Sequence, residues 1–153
     1  MSKIIGIESL GGVSGSGLQV VHCHGCFDLL HIGHIKHFQS AKKLGDILVV
    51  TITPDRYVNK GPGRPLFTEQ FRAEAVAALE CINYVAINKW PTAVEAIQLL
   101  KPNIFIKGSQ YRGHMTQALL DEEDAVRSGG GRLVFTDDIT FSSTELIRQL
   151  KGF

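Results

Sequence analysis

No apolar run in this chain approaches the ~20 residues that cross a bilayer as a helix, which excludes a transmembrane helix. Cysteine is scarce and odd in number. Cys23, Cys26 and Cys81 do not describe a disulfide scaffold, and the Cys23-x-x-Cys26 pair joins an apolar run to a turn. Neither sign of charge is in excess: 16 Lys and Arg stand against 15 Asp and Glu, for a formal net charge of +1. The basic residues are dispersed and the few aromatics form no stacking platform, so nucleic acid is not an expected partner. The N-terminus carries one lysine and a short glycine-interrupted segment, not a signal peptide, and the expectation is a soluble cytoplasmic protein. No internal repeat or low-complexity tract is visible. The 153 residues make one domain of ordinary size that can bury a full core. Residues 6–17, rich in Gly and Ser, read as a loose arm or short extra hairpin, so the expected division is an arm over 1–17 and a domain over 18–153.

What is present is an alternation of strand and helix patterns. Strands are expected over Leu18–Cys23, Ile47–Ile52, Tyr84–Ile87, Ile104–Ile106 and Leu133–Phe135. Helices are expected over Ile32–Leu44, Thr68–Leu79, a segment opened by Thr92 and Glu95 as a capping box, Thr116–Val126, and a last one from Ser142 or Ser143. The run Ile47–Ile52 is almost wholly apolar, as expected of a strand buried on both faces. Residues 53–67, with three prolines and two glycines, form a loop. Such alternation implies an α/β sandwich with a parallel sheet, and in such sheets ligands bind beyond the carboxyl ends of the strands. The stretches 24–34 and 53–60 both fall at that edge.

The most informative stretch is His24-Gly25-Cys26-Phe27-Asp28-Leu29-Leu30-His31-Ile32-Gly33-His34, a strand that turns into a helix. His31 and His34, at i and i+3, share a face of the first helical turn. Gly33 between them adds no side chain, so a polyanion can approach the backbone N–H groups while both imidazoles reach it. That arrangement suits a nucleoside triphosphate. A second segment, Phe141-Ser142-Ser143-Thr144-Glu145-Leu146, reads as a well-made helix start: Ser142 and Glu145 form a capping box, and Phe141 with Leu146 a hydrophobic staple. Ser143 and Thr144 are left without a capping task and suit an anion at the helix N-terminus. A third, Ile104-Phe105-Ile106-Lys107-Gly108, ends a strand in a cation and a glycine that admits a base or ribose. Lys60 and Arg64 lie in the glycine-rich loop and Arg72 one turn into the second helix. Basic groups in such loops can clamp phosphate on closure, the alternative being solvated surface charge. His22 reads as structural, His24 as a residue that either packs or lines the pocket, and His37 as half-buried or at a subunit contact. Six His and Cys side chains between His22 and His34 would offer zinc ligands on paper, but Cys23 belongs to the strand and Cys26 to the turn.

Gly25-Cys26-Phe27-Asp28-Leu29-Leu30-His31-Ile32-Gly33-His34 resembles the signature of the cytidylyltransferase-like nucleotidyltransferases, a HIGH-type superfamily, and Lys107-Gly108 and Ser142-Ser143-Thr144 fall where that family has its later motifs. The resemblance runs from Val20 to Leu150. It is nearest to the nucleotidyltransferase domain of ADP-heptose synthase and to glycerol-3-phosphate cytidylyltransferase. It implies a Rossmann-like five-stranded parallel sheet of order 3-2-1-4-5, Mg²⁺ as cofactor held mainly by nucleotide phosphates, and frequent homodimers. The implied reaction moves a nucleoside monophosphate from ATP, or CTP, to a phosphorylated sugar or polyol and releases pyrophosphate. By the same resemblance His31, His34 and Lys60 are catalytic. Gly25, Cys26, Phe27 and Gly33 form the turn under the nucleotide, joined by Arg72, Lys107, Gly108, Ser142, Ser143 and Thr144, while Asp28 and Asp55 lie near the acceptor. Two departures bear on substrate. The glycerol-3-phosphate enzymes carry Arg-Thr-Glu-Gly-Ile before the hydroxyl turn, where this chain has Asp137-Asp138-Ile139-Thr140-Phe141. The heptose enzymes have an acidic residue where Gln110 stands. The reading leans to adenylyl transfer, with glycerol-3-phosphate cytidylyl transfer and a non-catalytic nucleotide-binding regulator as alternatives.

Overall fold

The computed structural model describes residues 2–15, 17–137 and 142–152. Its strands are β1 (Val20–Gly25), β2 (Ile47–Ile52), β3 (Tyr84–Ile87), β4 (Ile104–Lys107) and β5 (Arg132–Phe135). Its helices are α1 (Ile32–Lys42), α2 (Glu69–Ala77), α3 (Val94–Leu100), α4 (Gln117–Ser128) and α5 (Ser143–Lys151). The strands form one parallel sheet of order β3-β2-β1-β4-β5, a Rossmann-like α/β sandwich as the alternation implies. The order reverses between β1 and β4, and at that switch point the carboxyl ends of the two strands open a crevice.

Period-two alternation in β1 divides its side chains between two cores. Val21 and Cys23 join Leu48, Val50 and Ile52 against Phe38, Ala41, Ala73 and Val76 of α1 and α2. Val20 and Val49 face the other way, toward Ala96 and Leu100 of α3, and Phe105 packs with Ala93, Leu119 and Val126. Five of the six β2 residues are buried. Each buried Leu, Val or Ile contributes roughly 1.5–3 kcal/mol, so the central strands anchor the crevice.

Three elements differ from expectation for identifiable reasons. β1 starts two residues later and runs through Gly25, because its register with β2 holds to Gly25↔Ile52. Residues 7–12, expected as part of a loose arm or hairpin, form a 3-10 turn with Ile7 and Leu10 buried beside α3. Just before it, the Ile5 N–H donates to Val85 O and the Val85 N–H to Lys3 O, so the arm extends the sheet at β3. α3 has no Thr92–Glu95 capping box. Its N-cap is Ala93, whose N–H donates to Glu122 Oε2 of α4 at 2.8 Å, so a tertiary carboxylate replaces the local cap. At the other end of α3, Lys101 takes a left-handed conformation (φ 52°) and returns its N–H to Ile97 O, a C-cap rather than a ligand contact. The caps of α2, α4 and α5 are Thr68, Thr116 and Ser142, each accepting the N–H three residues on. Phe141, the expected staple partner of Leu146, lies outside the described residues, as do Asp138, Ile139 and Thr140. No helix among the described residues is long and apolar enough to cross a membrane.

Candidate active site

The crevice between β1 and β4 is a cavity of about 560 Å³. Of the expected residues, the turn Gly25–Asp28, His31, Gly33, His34, Lys60, Lys107, Gly108, Ser142 and Ser143 line it. The turn from β1 into α1 is strained: Phe27 and Leu29 hold φ of 53° and 63°, a region that L residues with large side chains avoid. The Phe27 ring folds back over Gly25, where any Cβ would lie 2.9 Å from the ring, so glycine is required there. Phe27 then packs edge-on to His34, with ring centroids 5.3 Å apart, and against Phe38.

His31 and His34 cap α1 reciprocally. His31 Nδ1 accepts the Gly33 N–H at 3.1 Å, and His34 Nδ1 accepts the His31 N–H at 3.3 Å. The two rings stack with centroids 3.8 Å apart. A ring nitrogen that accepts an N–H bears no proton, so both neutral rings carry theirs on Nε2. Burial holds both rings neutral. It lowers His31, and it drives His34 down to about 3, reinforced by the neighbouring His31, His37 and Lys60 side chains. The structural and chemical readings of this motif are therefore one arrangement: capping fixes the tautomer, and the tautomer makes two neutral donors at a helix N-terminus that already favours anions.

The hydroxyl turn of α5 divides its tasks. Ser142 Oγ accepts the Glu145 N–H, buried Ser143 donates to Leu29 O, and Thr144 Oγ1 accepts from Arg64 Nη1 at 3.1 Å. Opposite, Lys107 Nζ donates to His24 O at 3.1 Å and stands over the Tyr111 ring. The Gln110 side chain lies across Gly108, where a Cβ would meet its Oε1 at 2.2 Å.

Three expected residues are not free for ligand. Asp28 is buried: one oxygen accepts from Arg64 Nε and the Leu66 N–H, both at 2.8 Å, and the other from the Phe67 N–H at 3.0 Å. Burial alone would raise its pKa, but the two backbone donors and the guanidinium outweigh it and hold the carboxyl below its ordinary value. Arg72 is buried outside the cavity, its fork taken by Phe67 O, Cys26 O, Thr53 O and Asp55 Oδ1. Asp55, its partner at 2.7 Å, lines a different cavity, near β3. Asp28 and Arg72 therefore brace the loop and turn rather than face a ligand.

Residues 22–149 match the family described as cytidylyltransferase-like. The chain belongs to that family. It is 44% identical over 130 residues to the bifunctional protein HldE of Syntrophotalea carbinolica, covering 84% of this chain and 26% of that protein. To HldE of Campylobacter fetus it is 46% identical over 113 residues, covering 72% of this chain and 25% of that one. The chain thus spans about a quarter of the length of these relatives. Among solved structures, the lipopolysaccharide core biosynthesis protein of Thermoplasma volcanium superposes with a TM-score of 0.68 at 26% identity, covering 81% of this chain and all of that one. The pantoate-beta-alanine ligase of Francisella tularensis, at 14% identity and a TM-score of 0.61 over 99% of this chain and 77% of that one, shares the fold.

Among the described residues of this family member, Arg64, His37, Thr136, Gln110 and Tyr111 stand at the site without having been assigned there from sequence. Arg64, an even choice between surface charge and clamp, is buried through its pair with Asp28. His37 lines the cavity with Nδ1 3.1 Å from Thr136 Oγ1, Thr136 itself lines it, and so does Gln110. A proline-flanked arginine two residues before a backbone segment that needs an acceptor for its N–H groups is the one sequence signal that points to Arg64. Of the six His and Cys offered as zinc ligands, Cys23 packs in the core under α1 and α2, while His22 and His24 reach Thr51 on the opposite face. Among the described residues no group of three or more His, Cys, Asp or Glu is arranged to hold a metal ion.

Proposed function

We propose that this chain is a nucleotidyltransferase domain that transfers a nucleoside monophosphate from a nucleoside triphosphate, ATP in preference to CTP, to a phosphorylated sugar or polyol, with release of pyrophosphate. The observation that carries the reading is the pair of neutral Nε2–H donors, His31 and His34, at the α1 N-terminus in a cavity where Lys60 and Lys107 make no ion pair with a carboxylate among the described residues. The kinship with the HldE proteins over most of the chain supports the sugar-phosphate class of acceptor.

The chemistry asks for positioning and charge stabilisation. A phosphomonoester is mostly dianionic near pH 7 and is already a nucleophile. One of its oxygens attacks the α-phosphorus in line, the bond from that phosphorus to the bridging oxygen of the β-phosphate breaks, and pyrophosphate departs with the electron pair. His31 and His34 donate to the triphosphate oxygens as charge develops, Lys60 closes on the β- and γ-phosphates, and the N–H groups of Ser143 and Thr144 receive phosphate at α5. Gly25, Cys26, Phe27 and Gly33 carry the nucleotide, with Gly108 beside its base or ribose. Mg²⁺ enters as the counter-ion of the nucleotide. The cavity's own donor set is N–H and hydroxyl, with Asp28 already spent, which suits a metal carried on the phosphates. The domain comprises 18–153, with 1–17 as its N-terminal arm, and works as a soluble cytoplasmic homodimer.

Pyrophosphate release from ATP and CTP, screened against sugar 1-phosphates and polyol phosphates, tests the reading. Acceptor-dependent release with ATP is expected. Release with CTP and glycerol 3-phosphate alone would move the chain to the cytidylyl reaction. Nucleotide binding without release under any acceptor would make it a regulator. Light scattering checks the dimer.

A further inference from the structure

His24 and His37 both line the cavity without a task in the proposed reaction, and His24 is firmly held. Its Nδ1 lies 2.8 Å from Thr51 Oγ1, and the same hydroxyl lies 2.7 Å from His22 Nε2. A hydroxyl has one proton, so it donates to one ring and accepts from the other. The far end decides which. His22 is fully buried, edge-on to Phe105, and its Nδ1 has no hydrogen-bond partner among the described residues. A proton on that nitrogen would be an orphaned buried donor, a rarer and costlier state than a bare acceptor. His22 therefore carries its proton on Nε2 and gives it to Thr51. Thr51 donates in turn to His24 Nδ1, and His24 is left with its proton on Nε2. Among the described residues that proton meets only Thr53 Oγ1, at a long 3.5 Å. His24 thus has the same tautomer as His31 and His34, with Nδ1 closed by the protein and the proton on Nε2. Burial, with the charge of Lys107 nearby, holds it neutral.

We infer that His24 is a specificity-determining residue whose Nε2–H, oriented through His22 and Thr51, hydrogen-bonds an oxygen of the phosphorylated sugar or polyol acceptor. The inference rests on the nucleotidyl-transfer reading above. His24, next to last in β1, stands beside Thr51 and Lys107, whereas the two triphosphate imidazoles sit beyond the turn at the start of α1. The carboxylates expected to hold the acceptor are elsewhere engaged, Asp28 by Arg64 and two backbone N–H groups, Asp55 by Arg72. A neutral, tautomer-fixed donor suits a sugar hydroxyl or ester oxygen and adds no charge to a cavity that already faces phosphates.

Two measurements test this. Nitrogen-15 spectra of the labelled parent should show His24 as the Nε2–H tautomer, and Thr51→Val should turn it into a mixture. An Nδ1–H form in the parent would overturn the relay. In steady-state kinetics, His24→Leu should raise the KM for the acceptor about tenfold, the scale of one lost hydrogen bond, with the KM for ATP within twofold of the parent. Thr51→Val should move the acceptor KM the same way by less, and His24→Asn, which keeps an N–H donor and covers the case of a leucine variant that does not fold, should recover part of it. Turnover in the parent with an unchanged acceptor KM in both His24 variants, or a rise confined to ATP, overturns the inference alone. No acceptor-dependent turnover in the parent overturns the nucleotidyl-transfer reading, and the inference with it.

Discussion

Of two cavities that the described residues form along this sheet, the larger is the less suited to chemistry. The larger, about 840 Å³, lies by β2 and β3 and is floored by Ile4, Ile5, Ile7, Pro54 and Ile87. Its charged groups answer one another: Glu8 pairs with Lys89, Asp55 with Arg72, Glu69 accepts the Asp55 N–H, and Arg56 reaches Lys89 O. The smaller, about 560 Å³, lies at the switch point between β1 and β4, and its groups are arranged toward a visitor. Its imidazoles spend Nδ1 on the protein, and Lys60 makes no ion pair among the described residues. Size does not mark a site. Polar groups whose remaining valence converges on a polyanion do.

The largest expected effect lies in the smaller cavity. His34→Ala should lower turnover about a hundredfold, roughly 3 kcal/mol of transition-state stabilisation, while loss of its half of the α1 cap costs about 1 kcal/mol of stability. Steady-state rates with matched thermal melts separate the two, and activity within threefold of the parent would remove His34 from the mechanism.

The two cations once grouped as phosphate ligands should behave in opposite ways. Arg72→Met strips three backbone carbonyls and a carboxylate of their donor and should cost on the order of 3 kcal/mol in urea unfolding. Lys60→Ala should leave the unfolding midpoint unchanged and weaken triphosphate binding about tenfold by calorimetry. A stable Arg72→Met variant with weak nucleotide binding would return Arg72 to the ligand.

Acid should undo the fold through its neutral imidazoles. The folded-state pKa values of His22 and His34, about 3, lie below the unfolded value near 6.5, so between those limits the unfolded chain binds more protons. Stability is then full above pH 6.5 and falls as pH drops, by up to about 1.4 kcal/mol per pH unit for each ring. Asp28, with its pKa depressed, adds a loss only below about pH 4. Denaturant titrations across pH 4–8 check the slope. Turnover should show no titration of His34 between pH 6.5 and 8.

Most of the fold was legible because the apolar runs were. The bounds of β2 and β3 follow from short β-branched runs flanked by turn residues, and the helix caps Thr68, Thr116 and Ser142 from local hydrogen-bonding chemistry. Failures came where a distant partner replaced a near one. Glu122 caps α3 from α4, and Ile7 and Leu10 fold the glycine-rich arm into a core whose other half lies some eighty residues on. At the site, the histidine turn could be read because its chemistry is written in consecutive residues. Arg72 and Arg64 could not be told apart, since both are single cations near a loop and only burial and partners separate them.

The smallest effects belong to the α5 turn. Ser142→Ala should cost about 1 kcal/mol, as for one lost N-cap, with triphosphate affinity kept. The double change Ser143→Ala, Thr144→Val removes the contacts to Leu29 O and Arg64 and should lower both stability and affinity, each by less than tenfold in the corresponding constant. Calorimetric affinities unchanged in the double variant would leave this turn an ordinary cap.

The contrast between the cavities is tested most directly by hydrogen exchange, read by mass spectrometry, with and without a nonhydrolysable ATP analogue and Mg²⁺. The smaller cavity as nucleotide site predicts slowed exchange over residues 25–34, 58–65 and 143–147, with residues 4–8 and 87–90 unchanged. Protection confined to 4–8 and 87–90 would place the nucleotide in the larger cavity and contradict the account.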